Sequence, residues 1–114
     1  MAKILDLNAL EQPTMELTLL DDEKTTFRLL CPDVKLVERF MAASKELKAV
    51  QDSGDADAIE KLYKFTAEMV SCNLDDRKVT AEELKDKYRI KFVHLFFIFN
   101  SYLEFIQEIN EAKN

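Results

Sequence analysis

Glycine, proline, histidine and cysteine are nearly missing from this chain, and each scarcity removes a class of chemistry. A single glycine, Gly54, cannot build a G-x-x-x-x-G-K-[ST] or G-x-G-x-x-G loop, so nucleotide binding through those motifs is excluded. His94 is the only histidine, which rules out a histidine-based metal cluster, and Cys31 and Cys72 have no zinc spacing. Two unpaired cysteines likewise argue against a disulfide framework and read as buried thiols in a reducing compartment. Long apolar runs are missing as well. The longest, Val93–Phe99, is interrupted by His94 and falls far short of the roughly 20 residues that cross a bilayer. Met1–Leu10 contains Asp6 and lacks an A-x-A-type site, so it does not read as a signal peptide.

Clustered positive charge is also absent. Asp and Glu outnumber Lys and Arg by 22 to 16, a formal charge of -6, and the basic residues alternate with acidic ones. Neutralising phosphates needs a stripe of Lys and Arg, so neither nucleic acid nor a membrane surface is an expected partner. The 114 residues are about one domain's worth, with a modest core that self-association could supplement.

What remains is patterned. Met15, Leu17 and Leu19 alternate with Glu16 and Thr18, and Phe27 and Leu29 alternate with Thr26 and Arg28 after the polar turn Asp21–Lys24. This period of two predicts an antiparallel hairpin over 15–30. A lone hairpin is marginal in water, so it must lie on a helix or complete a sheet with another copy.

Helical spacing follows. Leu36, Val37, Phe40, Met41, Leu47 and Val50 mark a helix over about 33–51 with Pro32 at its start, and Ile59, Leu62, Tyr63, Met69 and Val70 mark a second over about 55–73. Thr80-Ala81-Glu82-Glu83 fits a capping box opening a short helix over about 80–87. The last helix spans about 89–112. The expected architecture is therefore α+β and mainly α: residues 1–14 as an N-terminal arm, then a single domain over 15–114 with a hairpin and a four-helix bundle-like body.

The last helix carries Phe92, Phe96, Phe97, Phe99 and Phe105. Advancing about 100° per residue puts Phe92, Leu95, Phe96, Ile98, Phe99, Tyr102, Leu103, Phe105, Ile106 and Ile109 on one broad face, as expected of a central core helix. Val93 and Phe97 fall instead among His94, Asn100, Ser101, Glu104 and Glu108. Val93, Phe97 and Phe105 are the candidate partner-binding residues.

Candidates for chemistry are weak. Asp75–Glu83 has the acidity of a calcium loop, but Arg77 occupies a ligand position and no glycine permits the turn. Cys31 precedes a helix without a histidine base nearby. Glu82, Glu83, Glu104 and Glu108 sit where helices display charge to water. No catalytic, cofactor-binding or metal-binding residues are assigned, and enzyme activity is not expected.

In order, the hairpin Met15–Leu30, the Cys31-Pro32-Asp33 helix entry, the Thr80-Ala-Glu-Glu-Leu84 cap and the closing Phe97-Ile-Phe-Asn-Ser-Tyr-Leu-Glu-Phe-Ile106 resemble the small tail assembly chaperones of long-tailed phages and prophages of Gram-positive bacteria. The resemblance covers most of the chain from residue 15 and rests on element order and soft patterns. It implies a non-enzymatic, self-associating protein of the host bacterial cytoplasm that binds and solubilises the tape measure protein and helps recruit tail tube subunits. It also implies a longer frameshifted form, for which Ala112-Lys113-Asn114 could supply the slippery codons. Two other readings stay open: a small acidic regulatory inhibitor that covers a basic surface of a host protein, and a small enzyme with a pocket around His94, Tyr63 or Tyr102.

Overall fold

The computed structural model describes the backbone of residues 13–112 and the side chains of residues 13–110. Of the arm expected over residues 1–14, only Pro13 and Thr14 fall within the described residues. Strands β1 (Thr14–Thr18) and β2 (Thr26–Leu30) are followed by helices α1 (Val34–Ser53), α2 (Ala56–Ser71), α3 (Ala81–Asp86) and α4 (Phe92–Ala112). The expected α+β, mainly helical fold with an N-terminal hairpin is the observed one.

The strands pair antiparallel with Met15 opposite Leu29, Glu16 opposite Arg28 and Leu17 opposite Phe27. The two-residue alternation turns Phe27, Leu29 and Leu19 into the core and leaves Glu16, Thr18 and Arg28 in water. The connecting turn is tied by Asp21, whose carboxylate accepts from the backbone N–H and the hydroxyl of Thr25 at 2.9 and 2.5 Å.

The first three helices start where a side chain can accept from the unpaired first-turn amides. Asp33 accepts from the N–H of Leu36, Asp55 from those of Asp57 and Ala58, and Thr80 and Glu83 form the complete capping box. Gly54 ends α1 with φ 67° and its N–H on the Val50 carbonyl. A side chain here would meet no neighbour within 4 Å, so the left-handed backbone is what calls for glycine.

The final helix begins at Phe92 and not at residue 89, because Arg89 is itself left-handed (φ 57°) and Ile90 turns its N–H back to the Leu84 carbonyl. That turn delivers Ile90 and Tyr88 to the core, where Tyr88 meets Phe27 edge-on at 5.9 Å. From α4, Leu95, Ile98, Phe99, Tyr102, Phe105 and Ile106 are buried. Phe40 of α1 contacts Phe99 and Tyr102 at ring separations of 5.2 and 5.1 Å, and Phe65 of α2 meets Phe99 at 6.2 Å. Such tilted aromatic pairs contribute roughly 0.5–1.5 kcal/mol beyond their burial.

Two expectations need correction. Met41 is exposed, because α1 buries only the narrow stripe of Phe40, Leu47 and Val50. Cys72 is exposed and Cys31 half-buried, so neither is a buried thiol. Cys72 caps α2 between Val70 and Asn73, which both turn inward, and so faces out.

Candidate functional site

The hairpin lies along α4 with β1 running opposite to the helix. At the hairpin tip Asp22 reaches Arg89 just before α4, and at the other end Cys31 and Pro32 lie near Ile106 and Ile109. Between the outer edge of β1 and α4 runs an open trough of about 380 Å³. Thr14 to Leu20 form one wall, and Ile90, His94, Phe97, Ile98, Ser101, Glu104, Phe105 and Glu108 form the other wall and floor.

Phe97 is the one aromatic among the large apolar side chains left exposed in the described residues, at 67 % exposure, and it lines the trough together with the half-exposed Leu20. Val93, one turn earlier, is 54 % exposed but does not line the trough. Phe105 does not belong to an exposed strip: it is 6 % exposed and forms part of the trough floor, held by an edge contact with Tyr102 at 6.0 Å. So the structure splits the three residues singled out from sequence. Phe97 and Phe105 share one surface, and Val93 stands apart. The wall made by β1 was legible only as a hairpin edge, since nothing local in 14–20 says which helix it will face.

The polar groups of the trough include Glu16 from β1 and His94, Ser101, Glu104 and Glu108 from α4. His94 Nδ1 accepts from the N–H of Lys91 at 2.8 Å, which engages that nitrogen in closing the first turn of α4. Among the described residues, no hydrogen bond joins His94, Ser101 and Glu104. Tyr63 and Tyr102 are buried elsewhere and line no part of the trough. Burial raises both phenols above their ordinary value, and the Tyr63 hydroxyl donates to the Ile90 carbonyl at 2.9 Å. Of His94, Tyr63 and Tyr102, only His94 lines the trough.

The acidic loop after α2 is a structural joint. Buried Asn73 donates to the carbonyls of Val70 and Arg77 at 2.7 Å each and accepts from the N–H of Arg77 at 2.9 Å. Asp75 pairs with Arg28 and Asp76 with Lys78. No group of metal-ligating side chains occurs among the described residues. No helix among them is long and apolar enough to cross a membrane. In comparisons with protein-family models, curated proteins and solved structures, nothing matches this chain.

Proposed function

We propose that this protein is a non-enzymatic assembly chaperone whose trough holds an apolar segment of a client, in the manner of a phage tail assembly chaperone that binds the tape measure protein and helps recruit tail tube subunits. The observation that carries this reading is Phe97, a large aromatic held in water beside a preformed apolar trough. An exposed aromatic of this kind gives a large contact area at small entropy cost, which suits a client with many similar apolar faces. The order of hairpin, Pro32 entry, Thr80 cap and aromatic closing helix, which resembles that family, supports it.

Fully burying Phe97 would contribute about 1.5–3 kcal/mol to a complex, on the order of tenfold to a hundredfold in affinity. Phe97→Asp is expected to keep the circular-dichroism spectrum and thermal midpoint of the parent while losing the ability to keep a co-expressed tape measure protein soluble. Undiminished solubilisation by this variant would overturn the proposal.

The alternative, an acidic regulator of a basic host protein, draws on the exposed Glu16, Glu104 and Glu108 at the trough rim. Binding of that kind weakens steeply as salt rises, whereas apolar docking does not. Client binding measured at low and high salt separates the two.

A further inference from the structure

We infer that the trough takes an extended protein segment, which adds as a third strand to the outer edge of β1, turns apolar side chains onto α4 and sets lysine or arginine side chains against the rim carboxylates. This rests on the client-holding reading above and names the chemistry of the segment held.

The hairpin has two edges, and they are treated differently. On the β2 side the N–H of Leu30 donates to the Cys72 carbonyl at 2.9 Å, and the N–H of Leu74 donates to the Arg28 carbonyl at 2.8 Å, about the Leu29–Asn73 bridge. Leu29 therefore points its own N–H and C=O at Met15, and by the alternation of an antiparallel ladder the groups of Thr14, Glu16 and Thr18 point out of the other edge. Among the described residues nothing pairs with them. An incoming strand would satisfy these groups, and a helix, whose backbone groups are spent internally, would not.

The dimensions agree. Thr14–Leu20 extends about 20 Å at the usual strand rise, and His94–Glu108 covers about 21 Å of helix, so both walls accept an extended segment of about seven residues. Alternate residues of such a segment face Phe97 on one side and flank Glu16 on the other.

Charge decides the occupant. Glu16, Glu104 and Glu108 are exposed around the trough, no Lys or Arg lines it, and none of the three has an ion-pair partner among the described residues. Arg28, opposite Glu16 on β2, is turned to Asp75 at 2.9 Å. A second copy of the chain would bring these carboxylates against their own duplicates. The chain's residues 1–12 offer Ile4, Leu5, Leu7 and Leu10 but carry Asp6 and Glu11 against only Lys3 and the amino terminus. A segment alternating apolar residues with Lys or Arg meets both walls and the rim, since opposite charges across neighbouring strands attract and like charges repel.

The test uses the full chain and short synthetic peptides of about nine residues: one alternating Val and Lys, the same with Glu for Lys, and one of Leu and Lys at helical spacing. The alternating Val and Lys peptide should bind and slow hydrogen exchange at the amides of Thr14, Glu16 and Thr18. Glu16→Lys with Glu104→Lys and Glu108→Lys should weaken it by about tenfold or more and favour the Glu peptide. Equal binding of the Glu peptide, tighter binding of the helical peptide, or binding without protection of those amides would each overturn the inference. So would prior protection of the edge in the free protein, pointing to residues 1–12 if it persists on dilution and to a second copy if it does not. Failure here with loss of client solubilisation by Phe97→Asp leaves the chaperone reading standing. Peptide capture with unaffected solubilisation removes that reading and leaves the edge site.

Discussion

The two edges of one hairpin have opposite fates, and the difference lies in a single buried side chain. On the β2 edge, Asn73 uses its amide to hold the Val70 carbonyl and both backbone groups of Arg77, which fixes the segment after α2 where it can pair with Arg28 and Leu30. On the β1 edge no such segment arrives among the described residues, and the space is an apolar trough with Phe97 on its far wall. Unpaired edges invite association, so natural sheets cover or charge them. Here one edge is covered by the segment after α2, and the other carries the exposed carboxylate of Glu16 beside an apolar floor.

The comparison breaks most severely if the sheet loses its shared anchor. Phe27 is almost fully buried against Tyr88 and under the guanidinium of Arg77, which lies 4.8 Å from its ring centre. Phe27→Ala should cost about 3–5 kcal/mol, read as a fall in the urea midpoint, since a cavity replaces a large side chain under both edges. Unchanged stability would mean that the hairpin is an appendage and not part of the core.

Asn73→Ala should come next. It strips a buried joint of its partners and leaves backbone groups of Arg77 and Val70 to find water, at about 1–3 kcal/mol. Hydrogen exchange at Leu30 and Leu74 should quicken before exchange within β1–β2 pairs. If both quicken together, the covered edge is not an independent device.

The tip joins both edges and should respond to acid. The Thr25 hydroxyl holds the Asp21 carboxyl below its ordinary value of 3.8, with the Thr25 N–H adding to the effect. A depressed carboxyl contributes stability that is complete above its unfolded value and is lost as pH falls through its folded value. The protection of the Lys24 and Thr25 amides, measured against their intrinsic exchange rates at each pH, should therefore fall as pH drops below 3.8, and Asp21→Asn should remove that pH dependence from the turn. A persistent dependence in the variant would assign it to another group.

Much of this fold was legible residue by residue. The period of two in 15–30 and the Thr80 and Glu83 pair describe local geometry, and local geometry is what spacing encodes. Phe97 was legible too, as an apolar residue at a polar angle of α4. Three features were not. Arg89 adopts a left-handed backbone without being glycine, so spacing alone predicts a start of α4 three residues before the true one at Phe92. Phe65, Thr66 and Ala67 are all buried because α2 is enclosed on more than one side, which a single amphipathic stripe does not reveal. The trough itself depends on which helix the hairpin lies against, and that is set by contacts between residues far apart in the chain. Phe105 lies buried on the core face that its angle on α4 predicts, and it meets the trough only as part of the floor.

The smallest expected change in stability gives the sharpest test of the two edges. Proline lacks an N–H and is tolerated in sheets only where that group would face away from the ladder. At Glu16 the N–H points out of the open edge, whereas at Leu30 it donates to Cys72. Glu16→Pro should therefore cost about 1 kcal/mol or less, while Leu30→Pro loses a ladder bond and should cost more. Thermal unfolding of the pair checks this order directly. Glu16→Pro also removes the central donor of the open edge, so it should abolish strand addition while Phe97 stays in place. A variant that is stable and still fully able to hold its client would show that Phe97 and the trough floor suffice and that the edge of β1 contributes only its shape.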